Sequence, residues 1–245
     1  ALIGPISIFE KGVPDYVGGG TVDIVTADDV YYAAPPDRDE AGSPNVVGAV
    51  ALAQAILSLQ EIGMDALAHH EAELTAHALR RLHQIDGVDV YGLTDPDQAE
   101  GRVGVIPFNV RGADHYKVAA VLSFEGGIGV RNGCFCAHPY ILRLMKVSSE
   151  EALRHRDDIL GGTRVGLPGL VRASFGCYNT VEEVDQLADV LTRISSGDIQ
   201  GEYEQNPISG EYWPRGFEPE YEAYFALAPG FAARERMVAA PRCGV

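Results

Sequence analysis

The chain has 245 residues, 19 of them basic and 35 acidic, which gives a net charge of −16 and a pI near 4.7. A surface of that sign repels polyphosphate backbones and anionic bilayers, which argues against nucleic acid and membranes as partners. The composition, 46% hydrophobic and 22% charged, is that of an ordinary globular protein. A chain of this length can bury roughly 70–75% of its unfolded surface, in one large domain or two small ones.

No run of apolar residues is long enough for a membrane helix. The first ten residues have neither a basic leader nor a small-residue cleavage site, and they start without Met inside what reads as a strand. A piece of a longer chain is therefore expected. Cys134, Cys136, Cys177 and Cys243 are too few and too clustered for a secreted disulfide framework, so reduced thiols in the cytosol are expected.

In chain order, β-branched residues predict a strand over residues 1–10. Gly18-Gly19-Gly20 breaks it, and a second strand follows over 22–25. Residues 34–42 read as a loop. Ser43 and Pro44 then look like the N-cap and first residue of a helix carrying Val47, Val50, Ala51, Ala55, Leu57 and Leu59. A second helix is expected from Asp65 to about Leu82. Strands are expected at 88–91, 103–110, 128–131 and 171–175, with helices at 114–124 and 139–145. Thr180-Val181-Glu182-Glu183 is a capping box that opens a last helix to about Ile194. This alternation predicts an α+β layer with helices on one face of the sheet. Boundaries are expected at 1–82, 83–198 and 199–245, the last a tail with loose repeats at Gly201-Glu202-Tyr203, Gly210-Glu211-Tyr212 and Pro219-Glu220-Tyr221. Its aromatics, Tyr212, Trp213, Phe217, Tyr224 and Phe225, are expected to pack it onto the body.

Three segments carry chemistry. The first is Arg131-Asn132-Gly133-Cys134-Phe135-Cys136-Ala137, just ahead of an expected helix start at Pro139. A thiol there faces the positive end of the helix dipole, and Arg131 adds to the field; both favour a nucleophilic thiolate. A lone cysteine is more often a buried structural thiol, but the loop setting, the arginine and the helix start favour reactivity. The second is Val171-Arg172-Ala173-Ser174-Phe175 followed by Tyr178-Asn179-Thr180 and Glu182-Glu183. A guanidinium fork such as that of Arg172 can grip a carboxylate through two hydrogen bonds without losing its charge. The third is Arg38-Asp39-Glu40-Ala41-Gly42-Ser43-Pro44-Asn45, a hydroxyl at a helix N-terminus and so a ready anion site or a plain cap.

These three segments, in this order, resemble the class V aminotransferase and group II cysteine desulfurase family, and the resemblance covers most of residues 1–195. It implies a pyridoxal-phosphate-dependent transferase of fold type I (α/β), present as the end of the large domain, the linking helices and the small C-terminal α+β domain. By position in the family motifs, Cys136 falls on the nucleophile and Arg172 on the arginine that holds the substrate carboxylate. Arg131 lies beside them. Ser43, preceded by Gly42, takes the place of the hydroxyl that reaches the cofactor phosphate of a partner subunit, and Gly18-Gly19-Gly20-Thr21 matches a glycine run ahead of that loop. The implied cofactor is pyridoxal 5′-phosphate, the implied substrate an amino acid (L-cysteine, giving L-alanine and a persulfide on Cys136), and the implied partners a second copy of the chain and a sulfur acceptor.

Two differences from the family stand out. Group II desulfurases carry two histidines where this chain has Cys134-Phe135. The family's cofactor-binding lysine falls ahead of residue 1, and Lys11, Lys117 and Lys146 are the lysines present. A class V lyase, epimerase or transaminase and a catalytically incomplete binding subunit therefore stand as rival readings. His69, His70, His77 and His83 lie on one helical stretch with spacings that do not stack metal ligands, so they read as a solvated face and no metal is expected.

Overall fold

The computed structural model describes residues 2–218 of the chain, in two compact units that divide between Ala66 and Leu67. In the first unit a single helical turn, α1 (Ile6–Phe9), stands where the sequence predicts a strand. Pro5, with φ −60°, lacks the N–H a ladder needs and presets the chain for the turn after it. Strands β1 (Val22–Val25) and β2 (Val30–Tyr32) pair as an antiparallel hairpin. The glycine run before them is closed by Thr21, whose buried hydroxyl donates to Gly18 O at 2.8 Å and accepts from Gly18 N at 3.1 Å.

Helix α2 (Val46–Ile62) is capped by Asn45 and not by Ser43. The Asn45 side chain accepts from Gly48 N at 2.9 Å, which leaves Pro44 one place before the cap and the Ser43 hydroxyl uncommitted. None of the residues of α2 is buried within the unit. Val46, Val47, Val50, Leu52, Ile56, Leu57 and Ile62 all stand exposed.

The second unit is entered through helix α3 (Met64–His83). Its sheet is built from β3 (Val88–Val90), β4 (Val105–Val110), β5 (Arg131–Gly133) and β6 (Leu170–Ser174), all antiparallel in the order β3-β4-β6-β5. Between them lie α4 (His115–Gly126), α5 (His138–Leu144) and α6 (Ser149–Leu160), and α7 (Val181–Ser196) follows. The sheet obeys period-2 alternation. Ile106, Phe108 and Val110 of β4 and Val171 and Ala173 of β6 point to one face. There they meet Leu74, Leu79 and Leu82 of α3, Val118, Val121 and Leu122 of α4, and Val184, Leu187 and Leu191 of α7 in one core. The expectation of helices on one face holds for these three.

Capping chemistry sets the helix starts. Thr180 and Glu183 form the capping box expected for α7. Ser148 and Glu151 form a second one that opens α6, a helix the sequence reading passed over although Ser148-Ser149-Glu150-Glu151 carries the same signal. Strand β5 begins later than the expected 128–131, because pairing fixes it. Arg131, Asn132 and Gly133 sit opposite Arg172, Val171 and Leu170, while Ile128 and Val130 pack on the core without a ladder. The histidines of α3 are only partly a solvated face. His70 Nε2 lies 3.0 Å from Asn179 O, and His77 Nε2 lies 2.7 Å from the Asp185 carboxylate, which also takes Arg81. They pin α3 to α7.

Residues 199–218 fold back as a hairpin of β7 (Tyr203–Gln205) and β8 (Tyr212–Pro214), so two of the loose repeats each open a strand. Trp213 and Phe217 stack on each other and pack on Phe124 of α4. Tyr224, Phe225 and the third repeat lie outside the described residues. The hairpin is anchored by Glu125, whose side chain is 9% exposed. Its carboxylate accepts from Gly201 N at 3.0 Å, from Gln200 N at 3.1 Å and from the Tyr203 hydroxyl at 3.3 Å, and it pairs with Arg193. Burial alone would push this carboxyl up, but the Gly201 and Gln200 N–H groups with Arg193 and Tyr203 outweigh it and hold it below the ordinary range. Burial and the Glu125 charge together push the Tyr203 hydroxyl up to about 12.

A depressed carboxyl stabilises the fold above its unfolded pKa, and that contribution is lost as pH falls through the folded value. Glu125→Gln should therefore lower stability by about 1.5–3 kcal/mol at neutral pH, the worth of a hydrogen bond to a charged group. It should also red-shift the emission of Trp213, the chain's one tryptophan. Denaturant midpoints and fluorescence spectra of the two proteins, and acid titration of the native one, read both effects.

Candidate active site

Alternation along β6 places Arg172 on the face opposite Val171 and Ala173, away from the core. The antiparallel register of β5 then sets Arg131 directly across from it. Directly paired residues of neighbouring strands share a face, and two like charges there repel. Among the described residues neither arginine has an ion-pair partner. The Arg172 Nε is buried with no hydrogen-bond partner, and its guanidinium carbon lies 5.0 Å from the centre of the Phe135 ring. An aromatic face steadies a cation without using its hydrogen-bond donors, so the fork stays available to an anion.

Beyond β5 the chain makes a tight turn, closed by the Ala137 N–H donating to Cys134 O at 2.7 Å. Inside it Phe135 and Cys136 both adopt left-handed backbone, at φ 51° and 58°. Each such non-glycine residue costs about 1–3 kcal/mol and persists only where the surroundings enforce it, typically at functional sites. Ala137 leads directly into α5, with Pro139 in its first turn.

The turn gives its two thiols different settings. Cys136 is exposed, whereas Cys134 is half-buried and donates its S–H to Pro168 O at 3.4 Å. Burial pushes the Cys134 thiol up. Cys134 also lines a cavity of about 330 Å³, together with His115, Tyr116, Leu142, Ile159 and Leu167.

Gly42 and Ser43 belong to the first unit. Gly42 has φ 80°, where a side chain would be strained, and its N–H donates to Gly19 O at 2.9 Å. Ser43 is exposed at the head of α2. Arg38 in the same loop donates to Gly12 O at 2.5 Å and lies 5.8 Å from the Tyr32 ring centre, with its Nε buried and unpartnered. In the second unit the β5–β6 ladder brings Arg131 and Arg172 together, and Phe135 joins the turn of Cys136 to Arg172. Phe135 as a platform for the guanidinium was not foreseen; an aromatic two places from a strand end carries no sequence signal for it.

An exposed thiol on left-handed backbone and a pair of arginines without ion-pair partners are groups that could react with and hold an anionic substrate. Residues 1–187 match the family model of the class-V aminotransferases, and the chain belongs to that family. Over 190 residues it is 35% identical to a probable cysteine desulfurase of Staphylococcus aureus strain COL and 34% identical to one of Staphylococcus epidermidis strain ATCC 12228. Each match covers 78% of this chain and 40% of the relative. Among solved structures, the apo cysteine desulfurase of Thermococcus onnurineus NA1 superposes with a TM-score of 0.61 at 33% identity, covering 75% of this chain and 40% of that one. The cysteine desulfurase CsdA of Escherichia coli, in an S-sulfonic acid form, gives 0.59 at 25% identity, with 76% and 39% covered. The chain thus spans about 40% of the length of the curated relatives it matches.

The family depends on pyridoxal phosphate, and the fold is the mixed α/β of fold type I, represented in part. The residues present fit two anionic ends of such a complex. Ser43 offers an uncommitted hydroxyl ahead of a 17-residue helix, whose first N–H groups attract phosphate. Arg172 offers a buried, unpartnered donor for a carboxylate.

The two thiols should separate on alkylation. With Cys134 partly buried, hydrogen-bonded and shifted up, iodoacetamide near neutral pH should modify Cys136 faster by about tenfold or more. Peptide mass analysis of a time course measures the two rates side by side.

Proposed function

We propose that this chain supplies the nucleophile and the substrate-carboxylate grip of a pyridoxal-phosphate-dependent cysteine desulfurase, which converts L-cysteine to L-alanine. The observation that carries the reading is the unneutralised Arg131–Arg172 pair next to the exposed, left-handed Cys136. When bound, the cofactor supplies the electron sink that activates the substrate's carbon–sulfur bond. Arg172 takes the α-carboxylate through its fork, with Phe135 under the guanidinium plane, and Arg131 adds positive potential on the same face. Ser43, freed from capping, and Gly42, whose left-handed backbone glycine adopts without strain, serve the phosphate.

Cys136, as thiolate, attacks the substrate sulfur. An S–S bond forms, the carbon–sulfur bond breaks, and its electron pair stays on the carbon, which is then protonated to give alanine. The sulfur remains as a persulfide on Cys136, and exposure of that residue leaves it open to an acceptor thiol. Exposed free thiols suit a reducing compartment, so the reading places the enzyme in the cytosol.

In the complete enzyme, Cys136→Ala should abolish sulfide release from cysteine while leaving the cofactor absorbance intact. Cys134→Ala should keep much of the activity. Reversed phenotypes, or activity untouched by both changes, would transfer the chain to the lyase or transaminase reading.

The assembly proposed is a homodimer. A helix apolar on every side belongs inside a larger core, and α2 exposes Val46, Val47, Val50 and Ile62 while carrying Ser43 just ahead of it. Light scattering of the complete protein should give twice the chain mass, and Val47→Glu should weaken the dimer and cofactor retention together.

A further inference from the structure

Among the described residues the buried polar side chains are Thr21, Thr75 and His115, so His115 is the titratable one. It opens α4 behind the cap residue Asp114 and is 5% exposed. Its Nε2 lies 3.1 Å from Leu167 O, and its Nδ1 lies 3.4 Å from the Asn132 side-chain nitrogen. A carbonyl can only accept, so Nε2 carries the hydrogen. Nδ1 is then bare and accepts from the Asn132 amide, which defines one neutral tautomer. Burial favours that neutral form and pushes the imidazole down, against the charge of Asp114 and the bond to Leu167. The fit is close, since a methyl group at Gly169 would come within 2.5 Å of Nε2.

The segment that receives this imidazole also receives the cysteine turn. Leu167 O takes His115, Pro168 O takes the Cys134 thiol, and Gly169 O takes the Asn109 amide at 3.1 Å. Cys134 O in turn closes the turn that holds Cys136. Cys134 and His115 both line the cavity of about 330 Å³. Beside that open space the turn is tied to residues 167–169 by the bond from the Cys134 thiol to Pro168 O.

We infer that His115 is a positioning residue. Its neutral imidazole ties β5, through Asn132, to residues 167–169, and so fixes the turn from which Cys136 is presented. The inference rests on the reading of Cys136 as nucleophile.

The experiment compares the complete protein with His115→Leu, His115→Gln and Asn132→Ala. Two readouts are taken: iodoacetamide labelling of Cys134 and Cys136 by peptide mass, and kcat and KM for sulfide release from cysteine. Leucine fills the space without hydrogen bonds. It should speed Cys134 labelling by about tenfold, the worth of one lost bond. It should also lower kcat on the order of a hundredfold with KM little changed, the mark of a misplaced reacting group. Glutamine can donate to Leu167 O and accept from Asn132, and should restore both readouts most of the way. Asn132→Ala should move Cys134 labelling in the same direction as leucine, and it keeps the test alive if His115→Leu loses its circular dichroism. Equal behaviour of the leucine and glutamine variants, or Cys134 as protected in His115→Leu and Asn132→Ala as in the native protein, would overturn the inference. Labelling needs no turnover. Desulfuration surviving Cys136→Ala would sink the nucleophile reading, whereas an unmoved labelling pattern would sink the role of His115.

Discussion

A β-sheet has two faces, and burying one decides what the other presents. Here Phe108, fully buried between Ile106 and Val110 on β4, commits one face to α3, α4 and α7. Because β6 pairs with β4 in strict register, Val171 opposite Phe108 and Ala173 opposite Ile106 must point inward as well. Arg172, between them, has nowhere to go but the open face. Its partner across the next ladder is Arg131, which follows by the same rule. The arginine pair is thus a consequence of the apolar core, and a one-residue slip in either ladder would bury a guanidinium instead.

The second dependence is on the short connection after β5. A strand that ended in an ordinary hairpin would return its chain to the sheet. Here two successive left-handed residues swing the chain into α5 and leave one thiol outward and its neighbour inward. The inward thiol becomes part of the packing, through Pro168, and the outward one stays free for chemistry. Residues 167–169 matter to this arrangement more than their composition suggests, since three elements hand them a side-chain donor.

Much of this was legible in the sequence, and the parts that were not share a physical cause. The capping box at Thr180, the helix expected over 114–124 and the strand expected over 103–110 rest on local sequence, and each stands close to where it was expected. Arg172 and Cys136 were found through motif resemblance and landed on the open face and the exposed turn. What failed was whatever another segment decides. The β-branched start of the chain reads as a strand but folds as a turn after Pro5. Asn132-Gly133 is poor strand sequence, yet it pairs because β6 is there to receive it. Ser43 and Asn45 are both good caps, and only the backbone path chose Asn45. His115 and Phe135 act on residues far off in sequence, so spacing gave no sign of them.

The left-handed geometry at position 136 also filters what could ever stand there. Glycine, asparagine and aspartate tolerate that backbone readily, while valine, isoleucine and threonine, branched at Cβ, fit it poorly. Substitutions that arise by chance are therefore sorted by conformation before chemistry is consulted. A descendant that gave up its thiol would drift toward the small and the amide side chains. It would keep the turn's shape long after losing its purpose, so a silent relative would still display the outline of a reactive loop.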